Sequence, residues 1–202
     1  QKNPGVDLLR LGEFDLAKQY FIKHLSENPA DAQFYLGEVA WNMGNVEEAK
    51  KQYAAALASN PESLLAQIGA AKAQLKTNEK EAKKELENIY KKNKKDILIV
   101  MEVSKAFYDN GMLEEGEKAV AEARKSDKSN PLIYIFEGDR MLRAGKAGDA
   151  AMQYDQAINF DGNSVLALIK GGKVYETINP AIAIEQFKKA MTIDPENKLV
   201  NR

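Results

Sequence analysis

The sequence predicts an all-α fold, an α-solenoid of antiparallel helix pairs, and three observations carry that prediction. A small anchor residue recurs at Ala17, Ala49, Ala82, Gly116, Ala150 and Ala183, spaced by 32 to 34 residues. A period of this length marks an array of stacked supersecondary units. Four residues after each anchor stands a larger apolar side chain (Phe21, Tyr53, Leu86, Val120, Tyr154, Phe187). Seven after it stand His24, Ala56, Ile89, Ala123, Ala157 and Ala190. Offsets of zero, four and seven lie on one helical face. The third observation is punctuation. Gly12, Gly44, Gly111 and Gly145 precede anchors by five residues, and a breaker or polar residue closes each unit, as at Pro29, Pro61, Gly162 and Pro195.

Each unit therefore reads as a helix A, a tight turn and a helix B. Helix A carries a small residue twelve before the anchor: Gly5, Gly37, Ala70, Ser104, Gly138 or Gly171. That residue and the anchor let the paired helices approach closely. The turn glycine permits the left-handed conformation that ends helix A. Asn, Asp, Ser or Pro opens the next unit. The A helices are expected over 5–11, 30–43, 62–75, 96–109, 130–143 and 163–177. The B helices are expected over 13–27, 46–58, 79–93, 113–126, 147–159 and 180–192. The chain 1–202 reads as one array with repeats at 1–29, 30–61, 62–95, 96–129, 130–162 and 163–195. Residues 196–202 form a tail or the start of a further helix.

These residues resemble the tetratricopeptide repeat family, best in YLGEVAWNMGNVEEAKKQYAAALASNP (Tyr35–Pro61). The resemblance spans five full repeats and most of a sixth, and implies a right-handed solenoid whose A helices line a concave groove. Three departures bear on local geometry. The third repeat has a longer turn without glycine, the fourth has Gly116 at the anchor, and the sixth puts Asn179-Pro180 where the turn belongs.

Composition limits the chemistry. The 202 residues carry 29 basic and 30 acidic side chains, a formal net charge of -1, so polyanion binding is not the expected business and no nucleic-acid partner is expected. There is no cysteine, which excludes thiolate metal sites and cysteine nucleophiles. No apolar run is long enough to span a membrane, and no signal-peptide pattern stands at the start. The chain begins at Gln1 and ends on KLVNR, consistent with processing and with further chain. The missing Met and absent Cys lean towards an exported bacterial protein, periplasmic or secreted, while a trimmed cytosolic chain fits as well.

Each candidate for chemistry has a plainer reading. His24 is the sole histidine and falls where other repeats hold alanine or isoleucine, so it reads as a core or partly buried side chain. Lys170-Gly171-Gly172-Lys173 lies in mid helix A, without the strand and Ser/Thr of a phosphate loop, and reads as packing. Asp161-Gly162-Asn163-Ser164 and Asp194-Pro195-Glu196-Asn197 lack alternating calcium ligands and read as caps. Nine lysines and four glutamates between Lys72 and Lys95 read as a solvated, ion-paired helix. Glu47-Glu48 and Glu114-Glu115 complement B-helix dipoles. No catalytic residue, metal site or cofactor is expected.

With the A helices on the concave side, the helical wheel points a set of side chains into the groove. They are Phe34, Glu38 and Trp41; Met101, Lys105 and Tyr108; Ile135, Asp139 and Leu142; Leu168 and Tyr175. Ala66, Ala70 or Lys72, and Ala73 are expected to leave a recess between the Phe34/Trp41 and Met101/Tyr108 walls. Aromatic and Met side chains favour a partner's apolar anchor. The family's carboxylate clamp of Asn, Lys and Arg is absent from the matching places. On the last B helix, Ile184 and Met191 lie on the flank that would meet a further repeat, and are expected to be covered by chain beyond Arg202 or a second molecule, giving a possible homo-oligomer. The expected function is a non-enzymatic scaffold binding a protein or peptide. The alternative is an accessory or regulatory part of a longer chain whose catalytic or ligand site lies elsewhere.

Overall fold

A computed structural model of the protein describes residues 3–197. Among the described residues there are twelve helices and no strand. They are α1 (Pro4–Arg10), α2 (Phe14–Lys23), α3 (Pro29–Asn42), α4 (Val46–Ser59), α5 (Leu64–Gln74) and α6 (Glu79–Lys92). After them come α7 (Ile97–Asp109), α8 (Leu113–Asp127), α9 (Pro131–Arg143), α10 (Ala147–Phe160), α11 (Val165–Ile178) and α12 (Pro180–Ile193). The chain divides into two compact units, residues 1–122 and 123–202, with the division falling inside α8. Within each unit, helix pairs stack as repeats, so the fold is of the all-α solenoid class.

The turn chemistry works as the spacing predicts. Gly12, Gly44, Gly111 and Gly145 have φ between 76° and 81°, a region that L side chains rarely adopt. Polar side chains at the helix starts take orphan N–H groups. Asn45 Oδ1 accepts from the Glu48 amide at 3.2 Å, Ser63 Oγ from Ala66 at 3.2 Å, and Ser164 Oγ from Ala167 at 3.2 Å. The loop at Asp161 to Ser164 is thus a cap.

The small residue of helix A makes room for the ring four residues after the anchor. A Cβ on Gly37 would sit 2.4 Å from the Tyr53 ring, and one on Gly138 would sit 2.4 Å from Tyr154. The fourth repeat reverses the arrangement. Its glycine moves to the B helix because Tyr108 of helix A lies there, 2.6 Å from a Cβ on Gly116, while Ser104 Oγ donates to the Gly116 carbonyl at 3.0 Å. The anchors Ala17, Ala49, Ala150 and Ala183 are all buried.

One element is shorter than expected. The second helix stops at Lys23 and not near residue 27. The first repeat is the shortest, with 32 residues to the next anchor, so the helix must end early to leave a link before α3. His24 closes it. Its ring stacks on Tyr20 at 4.2 Å and its Nδ1 meets Glu27 at 2.9 Å. Partly buried as expected, it is a helix-terminating residue.

Candidate functional site

In the first unit, the core between repeats claims two of the apolar residues expected in the groove, and Glu38, expected there too, is buried with them at 3% exposed. Phe34 and Met101 are each 1% exposed. Phe34 lies 3.1 Å from the position of a Cβ on Gly69 and 5.9 Å, centroid to centroid, from Tyr53. In the second unit, Ile135 packs with Ala157 and Ala167, and Leu168 is fully buried. All four sit three residues before the small residue of their helix. These four apolar side chains are buried in the core of their own unit, so the expectation that they face a groove is corrected. The expected recess is also corrected. Lys72 fills the space, and Ala70 and Ala73 line an open recess of about 630 Å³ against α4, with Tyr53, Ala54 and Leu57.

What α3, α5 and α7 bring together is a buried ring of alternating charge. Lys72 Nζ donates to Glu38 Oε2 and to Asp109 Oδ2, both at 2.7 Å. Lys105 Nζ donates to Glu38 Oε1 at 3.1 Å and to Asp109 Oδ2 at 2.8 Å. Tyr53 of α4 donates its hydroxyl to Glu38. The exposures are 1% for Lys72, 3% for Glu38, 7% for Asp109 and 18% for Lys105, so only Lys105 of the ring offers appreciable surface. The half-buried Trp41 covers one end, with Lys72 Nζ 4.4 Å from the indole centroid. Half-buried Tyr108 is on α7 beside Asp109.

Electrostatics follow from that packing. Burial pushes the Glu38 carboxyl up, but the Lys105 and Lys72 ammoniums outweigh it and hold the group down to about 2. Burial and the nearby Tyr53–Glu38 contact push the Tyr53 hydroxyl well up. Glu102, one turn before Lys105 on α7 and buried, behaves oppositely. Burial, then the Glu38 charge, raise it to about 7 against the pull of Lys105, Arg10 and Lys72.

The second unit repeats part of this. Tyr154 donates to Asp139 Oδ1 at 2.5 Å, and Lys170 Nζ donates to the same oxygen at 2.8 Å. Lys170 is nearly buried and its Gly171 and Gly172 take Gln186 and Phe187 side chains, so the glycine pair is packing. Leu142 is 46% exposed. Tyr175 turns towards α10, donating to Asp155 Oδ2 at 2.5 Å, and that bond, with burial next, pushes its hydroxyl up to about 12. On α12, Ile184 is 55% and Met191 40% exposed.

Sequence reasoning missed Asp109, Glu102 and Lys170 and placed Lys72 in a solvated run. The rest of that run is surface, as in the Lys91–Glu87 pair at 3.5 Å. A signal was present. A carboxylate follows the small residue at Glu38 and Asp139, a tyrosine stands fifteen residues on at Tyr53 and Tyr154, and the next A helix carries a mid-helix lysine. Among the described residues no group of three or more acidic or His side chains could hold a metal ion, and no helix is long and apolar enough to cross a membrane.

The tetratricopeptide repeat family model matches residues 30–63. A thermophilic tetratricopeptide-repeat protein of Thermus thermophilus is similar over 85% of this chain and 95% of its own, with TM-score 0.54 and 17% identity. A tetratricopeptide-repeat protein from Parabacteroides merdae covers 98% of this chain and 78% of its own, with TM-score 0.51 and 17% identity. The C-terminal part of a repeat-containing protein from Cytophaga hutchinsonii covers 98% and 83%, with TM-score 0.50 and 20% identity. No curated protein matches the chain. Proteins of this repeat are in general non-enzymatic scaffolds for protein–protein interaction.

Proposed function

From a chain in which residues 30–63 match the tetratricopeptide repeat and whose fold is that of solved tetratricopeptide-repeat proteins, we propose that it binds a partner protein through the A-helix face of the first unit. The observation that carries this reading is the face formed by α3, α5 and α7. There the half-buried Trp41 lies against Lys72, and the half-buried Tyr108 stands one turn after Lys105 on α7 with its ring against Gly116, above carboxylates that are buried and internally paired. Aromatic side chains with a polar tip are over-represented at binding hot spots. They stand on helices and not on loops, which limits the ordering cost of association. In the second unit, Asp139 and Leu142 remain accessible on α9 and offer a contact of their own, with Ile135 and Leu168 buried in that unit, whereas Phe34, Glu38 and Met101 lie buried in the first unit. Isolating bound proteins with the wild type and with a folded Trp41→Ala, Tyr108→Ala double variant tests the reading. Partners should be lost from the variant, and equal recovery would refute it.

Self-association through α12 rests on the exposure of Ile184 and Met191. Sedimentation of the wild type against Ile184→Glu, Met191→Glu tests it. A wild type that stays monomeric at high concentration rules it out.

A further inference from the structure

The second unit fills the space between one B helix and the next A helix with its own side chains, and the first unit leaves the matching space open. The anchors Ala49 and Ala150 are 101 residues apart, and so are Ala82 and Ala183, so α4, α5 and α6 align with α10, α11 and α12 without a gap. In the second unit two side chains converge on one carboxylate. Tyr175 of α11 donates to Asp155 of α10 at 2.5 Å, and Gln186 Nε2 of α12 donates to it at 3.3 Å. The Gln186 amide lies against Gly171, its Oε1 2.6 Å from the position of a Cβ there. The Tyr175 ring packs on the cluster of Ala150, Ala151, Tyr154 and Val174.

At the places of Tyr175, Asp155 and Gln186 the first unit has Gln74, Ala54 and Glu85. Ala54 gives a phenol or amide nothing to bond, and a glutamate buried against alanine would lose its hydration without return. Gln74 and Glu85 are accordingly exposed. What remains is the open recess of about 630 Å³, which Ala70 and Ala73 line in place of Gly171 and Val174, and which the buried Tyr53 lines in place of Tyr154. Helix α11 runs to Ile178, but α5 stops at Gln74, so Thr77 lines the recess from a turn. Sites for small molecules bury about 70–90% of their ligand. Here Ala54, Ala58, Gln74 and Thr77 are themselves exposed, so the recess suits one side chain of a larger partner that brings further contact area. Among the described residues that line it, Lys50 alone carries a charge. It stands where the second unit buries Ala151, and its ammonium is 4.0 Å from Glu47.

We propose that the recess between α4 and α5 docks a partner segment that carries a tyrosine beside an acidic residue. The ring takes the place that Tyr175 holds in the second unit, against Tyr53 as Tyr175 is against Tyr154, and the carboxylate meets Lys50. Aromatic pairs of this kind gain beyond the area they bury. The site involves the B helix α4 and does not rest on the reading that the A-helix face binds a partner.

Methyl NMR of the wild type tests the site, because a ring seated beside Ala54 and Ala73 shifts their methyl signals by its ring current. The probe is acetyl-tyrosyl-glutamate amide, which should move both signals saturably. Replacing its tyrosine by alanine should weaken binding about tenfold, and replacing its glutamate by lysine about threefold. No shift with the tyrosine probe, or equal affinity for the alanine probe, overturns the site. Equal affinity for the lysine probe overturns the acidic neighbour. Ala54→Asp, Gln74→Tyr rebuilds the Asp155–Tyr175 pair and fills the recess from within, so the folded double variant should not respond. A response equal to that of the wild type overturns the proposal. Trp41→Ala, Tyr108→Ala should respond as the wild type does, and a lost response there would move the probe to the A-helix face and overturn the recess. The wild-type titration decides the site without any variant.

Discussion

Replacing Lys72 by Met removes the ammonium at the centre of the buried ring while keeping an unbranched side chain of similar length. Glu38 and Asp109 each lose a 2.7 Å bond, and two buried carboxylates then share Lys105. Glu38 titrates at about 2 in the folded protein against an ordinary 4.5. Returning it merely to its ordinary value forfeits roughly 3 kcal/mol at neutral pH. Breaking a buried pair by deleting one partner costs about 3–5 kcal/mol, which agrees. Urea unfolding followed by far-UV circular dichroism measures the difference. The pH dependence gives a second check. A carboxyl with a depressed folded value contributes stability above its unfolded value, and that contribution is lost as pH falls through the folded value. The gap between wild type and variant should therefore be full above about pH 4.5 and shrink towards pH 2. A loss under about 1 kcal/mol, or a gap constant across that window, would refute the argument that the ring holds α3, α5 and α7 together.

Glu102→Gln should act with the opposite sign: its raised folded value means the ionised form destabilises the fold, so the variant gains roughly 3 kcal/mol above about pH 7 and nothing below pH 4.5. Denaturant unfolding at both ends of that window checks it. Gly37→Ala places a Cβ 2.4 Å from the Tyr53 ring and should cost about 1–3 kcal/mol, whereas Gly148→Ala, with nothing within 4 Å, should be neutral or gain up to about 1 kcal/mol; thermal unfolding compares them. Tyr154→Phe removes a 2.5 Å bond to a carboxylate that Lys170 still holds, and should cost about 1.5–3 kcal/mol by the same assay.

The sequence carries the fold more completely than the site, and the reason is range. Turn glycines and caps act within one repeat, so Gly44 and Asn45 announce the start of α4 by themselves. A helical wheel likewise knows only one helix and its partner. It assigns Phe34 to the same side as Trp41, but the next repeat presents Gly69 to Phe34 and buries it. The ring needs Glu38, Lys72 and Asp109, which are 34 and 37 residues apart, and no single repeat contains that pairing. The side chains mistaken for groove are apolar ones buried in the core, and Glu38, which the ring takes in. Lys72, read as part of a solvated run, is long enough to reach a carboxylate on the preceding A helix, as Lys170 does in the second unit.

The central claim is that partners meet the protein at the face bearing Trp41, Lys105 and Tyr108. A photo-crosslinking amino acid placed at Tyr108, and as a control at the exposed Lys84 on α6, tests it in an extract of the cells that make the protein. The account predicts a discrete adduct from position 108 alone, suppressed by excess unlabelled wild type but not by folded Trp41→Ala. The same adducts from both positions, or equal suppression by the variant, would contradict it.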